Sequence, residues 1–184
     1  MKKIFTLALL ACMSYAISID QKSIEVSFEG FKTPDFKGAK GKFENIKYTF
    51  SKNDQNLSSA LKGAQAIIDP KSVKMELEVA NKNMKEVFFP ALNKAKEIKV
   101  TFINAIEGNK QGVISAKITI EKQSTIVPLY YKIKNNEIIA NGQMDLHAFK
   151  NGEIALTNLA KAAQGHLGIS WPLVNISFKA KILK

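Results

Sequence analysis

Apolar and polar side chains alternate along most of the chain after its first sixteen residues. Ile24, Val26 and Phe28, for example, are separated by Glu25 and Ser27. A period of two is typical of strands with one face on an apolar interior and the other in water. The alternation predicts eight strands, at residues 24–28, 46–50, 73–79, 98–102, 114–120, 127–133, 138–146 and 174–182.

Other segments interrupt this alternation. Turn-forming residues at 38–41, 107–109 and 135–136 predict tight reversals between strands. Helical spacing of apolar residues predicts short helices at 56–65, 81–92 and 154–164. The chain is therefore predicted to be an all-β, antiparallel domain of about eight strands with two or three short helices. A sandwich and a barrel are both compatible with this pattern, and closure into a barrel would remove exposed strand edges.

The last predicted strand, residues 174–182, alternates as regularly as any other segment. A terminal strand is marginal unless it pairs with the sheet. We therefore expect it to hydrogen-bond a strand on each side. One of these neighbours is expected to be the first strand, so that the pairing closes a barrel.

The first sixteen residues have the layout of a secretory signal peptide. Lys2 and Lys3 precede an apolar run at residues 4–13, and small residues follow up to Ala16. This predicts cleavage after Ala16 and export of a single domain, residues 17–184. Residues 9–12 also have the shape of a lipobox, which leaves a lipoprotein anchored through Cys12 as the alternative. Because Cys12 is the only cysteine, no intramolecular disulfide is available.

The chain is basic, with 27 lysines and no arginine against 16 acidic residues, for a formal charge of +11. Arginine is the usual bidentate reader of phosphates, and export separates the protein from nucleic acid, so no nucleic-acid partner is predicted. The lysines are spread along the chain, which is typical of solvated strand faces. The alternative is attraction to an anionic membrane surface or a phosphate-bearing ligand.

Catalytic and metal-binding patterns are absent from the sequence. There is no G-x-S-x-G, P-loop or G-x-G-x-x-G motif, and only two histidines are present. His147 follows Asp145 by two residues, but a zinc site needs at least three protein ligands. We therefore predict no catalytic residues, no metal and no enzymatic activity. His166 is read either as a histidine at a helix end or as a residue at the mouth of a cavity.

The inward positions of the predicted strands are almost purely apolar, which favours an apolar ligand if the interior holds one. Phe88 and Phe89 either plug one end of the core or line and gate a lipid-sized tunnel. The residues predicted to line this tunnel are Phe28, Tyr48, Phe50, Phe88, Phe89, Phe102, Ile118, Leu129, Tyr131 and Phe178.

Four segments in order resemble the YceI-like polyisoprenoid-binding family: residues 38–43, residues 67–73, residues 83–90 with paired phenylalanines, and residues 98–102. The chain departs from the family at residues 81–84, where an Arg-Asp pair is common, and at residues 166–172. The resemblance implies a lipocalin-like antiparallel barrel in the periplasm. It implies binding of a long isoprenoid or quinone-like tail, with no other cofactor and no catalysis.

Two functions follow as hypotheses. The first is a periplasmic carrier that holds a long apolar lipid, an isoprenoid or quinone-like tail, in the barrel interior. The alternative is a non-catalytic structural or interaction barrel whose interior is filled by its own side chains. An internal cavity distinguishes the first from the second.

Overall fold

A computed structural model describes residues 16–50 and 55–183 of the 184-residue chain. These residues form ten antiparallel strands in one curled sheet and several short helices. The proposed signal peptide lies outside the described residues apart from Ala16, and so does Cys12. Within the described ranges, no helix has the length and hydrophobicity needed to cross a bilayer.

Eight of these strands overlap the predicted alternating segments, whereas the strands at Lys37–Phe43 and Gln65–Ile68 were not predicted. The bounds of the ten strands are Ser18–Lys32 (β1), Lys37–Phe43 (β2), Ile46–Thr49 (β3), Gln65–Ile68 (β4), Val73–Met75 (β5), Ile98–Glu107 (β6), Gln111–Ile120 (β7), Gln123–Lys134 (β8), Glu137–Asp145 (β9) and Ser170–Leu183 (β10). Their order in the sheet is β3-β4-β6-β7-β8-β9-β10-β1-β2-β5. The sheet curls into a half-barrel, which confirms the predicted all-β, lipocalin-like class.

All three predicted helical segments are helical. Their bounds are Leu57–Leu61 (α1), Glu78–Asn83 (α2), Phe89–Asn93 (α3) and Gly152–Ala162 (α4), and a π-helical turn at Met84–Phe88 joins α2 to α3. Asn56 caps α1, because its side-chain oxygen accepts a hydrogen bond of 2.8 Å from the Ser59 N–H.

The pairing expected of the C-terminal strand is confirmed. β10 lies between β9 and β1, with Phe178 opposite Ala140 on one side and Val26 on the other. The pairing does not remove both edges of the sheet, however, because β3 and β5 end the strand order. These two edge strands have only four and three residues. Short edges of this kind offer little template for pairing with another chain.

An irregularity in β1 reverses the side-chain parity along that strand. Asp20 pairs with Lys181 and Glu25 pairs with Lys179, so the four residues of β1 between these pairs lie opposite a single residue of β10. Ser23 fills this bulge: its hydroxyl oxygen accepts from the Lys181 N–H at 2.7 Å. Because of the bulge, the inward side chains of β1 change from odd to even positions. Ile19 and the even-numbered apolar residues after Glu25 therefore both reach the interior.

The turn predicted at residues 38–41 was wrong, because these residues belong to β2. The chain instead reverses just before, where Thr33 and Phe36 have φ of 63° and 58°. The Thr33 hydroxyl and Lys37 both hydrogen-bond Asp35, and they hold the pKa of this carboxyl below its usual value. These side-chain hydrogen bonds therefore stabilise the reversal, although no glycine occupies its two positive-φ positions.

The other two predicted turns are confirmed. Asn135 and Asn136 alone connect β8 to β9 and have φ of 53° and 58°. Positive φ at both central residues is the requirement of a two-residue type I′ hairpin, and asparagine tolerates it. Residues 108–110 reverse the chain between β6 and β7.

The strand predicted at residues 73–79 is shorter than expected. β5 ends at Met75, and α2 begins at Glu78. The Asn81 side chain stabilises this change, since its oxygen accepts a 2.6 Å hydrogen bond from the Met75 N–H. Leu77 and Val79, predicted to face inward on a strand, are instead 59% and 64% exposed.

We expect that deleting residues 175–184 will prevent formation of a soluble monomer. The deletion removes most of β10, so β1 and β9 both lose their partner and the apolar interior opens. Size-exclusion chromatography and circular dichroism measure the result. A matched control that deletes only residues 183–184 removes the single pair formed by Leu183 and should stay monomeric. A monomeric, folded long truncation would show that β10 is peripheral.

Candidate functional site

An apolar cavity of about 560 Å³ lies within the curl of the sheet. All ten strands contribute side chains to its wall, as do α2, α3 and α4. A cavity lined mainly by apolar side chains with a few polar groups is typical of small-molecule sites, whose volumes are about 300–1,000 Å³. This cavity is therefore the candidate site.

Nine of the ten residues predicted to line a tunnel line this cavity. Phe50 directly follows β3, Phe88 and Phe89 lie where the π-helical turn meets α3, and the others come from the strands. The nine residues are Phe28, Tyr48, Phe50, Phe88, Phe89, Phe102, Ile118, Leu129 and Phe178. Their contact with a ligand stays a prediction.

Aromatic rings form much of the wall. Phe178 lies at the centre, with the ring of Phe102 edge-on at 5.4 Å and that of Phe50 nearly parallel at 6.4 Å. At the helical side, Phe88 and Phe89 meet edge to face at 5.1 Å. Edge-to-face and offset contacts at these separations are favourable for aromatic rings. Phe88 and Phe89 are both buried and form part of the cavity wall, so they do not simply plug the core.

Tyr131 is the exception among the predicted residues. It is inward-facing and only 2% exposed, but it packs in the closed part of the core beside Gly112. Within the described part of the chain its hydroxyl has no hydrogen-bond partner. Burial first, and then the nearby Glu107 carboxylate, raise the pKa of the Tyr131 phenol. Alternation predicted its face correctly and could not predict which end of the core the cavity occupies.

Small side chains make room for the cavity. Ala39, Ala64, Ala66 and Ala116 line it from β2, the segment before β4, β4 and β7. A methyl group at each of these positions leaves the space that a leucine or phenylalanine would fill. The sequence prediction concentrated on bulky side chains and missed this group, of which only Ala116 lies in a predicted strand.

Tyr48 supplies a phenol to an otherwise apolar stretch of the wall. Burial raises the pKa of Tyr48 to about 12. The phenol therefore stays neutral throughout the physiological range, and it can donate or accept a hydrogen bond without placing a charge in the cavity.

One side of the cavity is open, and helical residues border the opening. Leu77 and Val79 line the cavity and are largely exposed, so two apolar side chains stand at its rim. Leu156 and Leu159 of α4 contribute the apolar face of that helix to the wall. The helical spacing of residues 154–164 predicted α4, but no sequence signal showed which strands it would cover.

A polar group interrupts the apolar wall near residues 164–171. Lys32 and Ser170 are direct cross-strand partners on β1 and β10, and both line the cavity. His166 joins them, with its Nδ1 atom 2.7 Å from Ser170 Oγ. His166 ends the short helical turn Gln164–His166 and also lines the cavity, so its position agrees with both interpretations made from the sequence. Burial first, and then the positive charge of Lys32, lower the pKa of His166, which favours the neutral ring.

Trp171, the only tryptophan, lines the cavity beside this group. Its indole N–H donates a 2.8 Å hydrogen bond to the Thr33 carbonyl oxygen. Its ring also meets Phe36 edge to face at 5.2 Å. These contacts fix the indole where the wall changes from apolar to polar.

The other histidine lies outside the cavity. His147 Nε2 is 2.7 Å from a Glu153 carboxylate oxygen, and both side chains are exposed. Across residues 16–50 and 55–183, no group of three histidine, cysteine or acidic side chains is arranged to hold a metal ion. The cavity thus combines a mainly apolar surface with a few polar side chains, among them the cluster of Lys32, His166 and Ser170, an arrangement suited to holding an amphipathic molecule.

Solved structures with the same fold include proteins from three bacteria. BcnA from Burkholderia cenocepacia is 14% identical, with a TM-score of 0.61 over 91% of this chain and 100% of that one. A polyisoprenoid-binding domain from Saccharophagus degradans is 16% identical, with a TM-score of 0.56 over 91% and 98%. The YceI protein of Campylobacter jejuni is 18% identical, with a TM-score of 0.57 over 82% and 88%.

By sequence, the chain matches no family model and no curated protein. The similarity to the solved structures extends along most of both chains while identity stays below 20%. At such identity the shared property is the fold. The chain therefore has the YceI-like fold that the order of its sequence motifs predicted.

Proposed function

We propose that this protein is a periplasmic binding or carrier protein for a long apolar lipid, an isoprenoid or quinone-like tail. The apolar cavity of about 560 Å³ carries the proposal, because it offers the tail a site inside the sheet. A neighbour with the same fold is a polyisoprenoid-binding domain, which supports the same class of ligand.

Burial of a hydrocarbon tail would supply the binding energy. Each methylene removed from water contributes about 0.8 kcal/mol. A tail that buries about ten carbons therefore gains roughly 8 kcal/mol, which corresponds to micromolar binding before the cost of ordering the chain is subtracted. The aromatic wall around Phe178 suits flat, unsaturated isoprene units, since it offers rings in two orientations.

The cavity counts against the alternative of a barrel filled by its own side chains. That alternative needs an interior packed to normal protein density, which leaves few voids larger than a water molecule. The alanines on the inward faces of the strands keep the cavity open instead.

The sequence of residues 1–16 supports the cellular location. A basic start, an apolar run and small residues up to Ala16 are the features of an exported chain. Intact mass of the protein from a periplasmic fraction would distinguish cleavage after Ala16 from a lipid on Cys12. A cytoplasmic, uncleaved protein would contradict the proposed location.

We expect the purified protein to carry lipid. Extraction with chloroform and methanol, followed by mass spectrometry, should release a long-chain apolar molecule in a ratio approaching one per protein, and native mass spectrometry should show the intact complex. If the protein is free of lipid and binds neither an added prenol nor a quinone, the proposed function is wrong.

We expect Ala66→Phe to weaken lipid binding by about tenfold or more. Ala66 lines the cavity from β4, and a phenyl ring there would occupy space that the tail needs. The lipid recovered per protein, and the affinity for an added prenol, measure the effect.

The matched control for this variant is Ile67→Phe. Ile67 is the next residue of β4, faces away from the cavity and lies on the outer surface. This control should retain the lipid content of the natural protein. Equal losses in both variants would attribute the effect to a damaged strand rather than to a filled cavity.

A further inference from the structure

The Lys32 side chain places a positive charge on the wall of an apolar cavity. Lys32 is half-buried, and its ammonium lies 3.8 Å from the position that a Cβ atom on Gly165 would take. The register of β1 and β10 sets Ser170 directly opposite, so both side chains point to the same face of the sheet. The His166 ring completes the cluster through its 2.7 Å contact with Ser170.

No carboxylate of the described residues lies within 4.0 Å of the Lys32 ammonium. The neighbouring acid, Asp35, is already paired with Lys37 at 3.2 Å. Lys37 is itself the partner of Lys32 across β1 and β2, but its side chain is largely exposed and it does not line the cavity. Of these two adjacent lysines, Lys32 is thus the one that faces the cavity without a countercharge.

We infer that Lys32, His166 and Ser170 bind the oxyanion headgroup of a lipid, a phosphate or a carboxylate, whose tail occupies the cavity. This inference rests on the proposed function, because the tail must be in place for the headgroup to reach the cluster.

Each member of the cluster suits an oxyanion. The ammonium supplies charge and three donors. The neutral His166 ring and the Ser170 hydroxyl have one donor each, and because they bond each other at 2.7 Å, one of these two donors is left for the headgroup. Hydrogen bonds between charged groups are about twice as strong as neutral ones, and partial burial strengthens them further. The cluster would therefore favour a charged lipid over a neutral lipid with the same tail.

Trp171 provides a built-in reporter, since it is the only tryptophan and lines the cavity next to the cluster. Its fluorescence can follow titration of the delipidated protein with farnesol and with farnesyl phosphate, which share one tail and differ in the headgroup. We expect tighter binding of farnesyl phosphate. Inorganic phosphate, added as a competitor, distinguishes a lipid headgroup from a free anion.

The decisive variant is Lys32→Gln, and the matched control is Lys37→Gln, which removes the same charge one strand away. Lys32→Gln should weaken the binding of farnesyl phosphate by about tenfold to a hundredfold and leave farnesol unchanged. Ser170→Ala should give a smaller loss with the same selectivity. Lys37→Gln should leave both affinities within about twofold, since exposed charges contribute little.

The outcomes separate the two proposals. If neither farnesol nor farnesyl phosphate binds, the proposed function fails, and the headgroup site fails with it. If both bind with equal affinity, or if Lys32→Gln weakens both to the same extent, the cavity holds lipid tails but the headgroup site is wrong. Effective displacement by inorganic phosphate at micromolar concentration would assign the cluster to a free anion and overturn the lipid headgroup.

Discussion

The antiparallel pairing of β10 with β1 on one side and β9 on the other is the interaction on which the rest of the structure depends. It joins the first and last of the described strands inside the sheet, and the short strands β3 and β5 are left at the edges. The same pairing sets Lys32 opposite Ser170. One register therefore continues the sheet around the cavity and determines the position of its polar cluster.

The cavity exists because the sheet curls without filling its interior. Alanines at inward positions contribute too little volume to fill the space. The rings of Phe50 and Phe102 contact Phe178 from across the curl and leave the rest of the interior open. α2, α3 and α4 cover one side and leave Leu77 and Val79 exposed at the rim. Native cores are normally packed to a density of about 0.74–0.76, so an open apolar interior of about 560 Å³ departs from ordinary core packing and has the volume of a small-molecule site.

Sequence alternation predicted those strands in which every second side chain is buried in the interior of the sheet. It was misleading at residues 77–79, where the apolar residues continue with period two although the Asn81 side chain bonds the Met75 backbone and allows α2 to begin. The turn signal was misleading at residues 38–41, where two glycines suggested a reversal that the side-chain contacts of Asp35 form earlier. These two errors occur where a side chain bonds the backbone or a neighbouring residue locally, which periodicity does not detect. β4 was missed because its sequence, QAII, shows no alternation.

The sequence by itself determined the all-β class, three helical segments and the inward face on which nine of the ten predicted cavity residues lie. Those properties depend on local periodicity, because a strand must bury every second side chain. Only the tertiary structure decided that Tyr131 belongs to the closed core, that the sheet keeps two edges, and that Lys32, His166 and Ser170 meet on the cavity wall. Such contacts depend on strand order and register between residues more than a hundred positions apart, and no local pattern encodes that pairing.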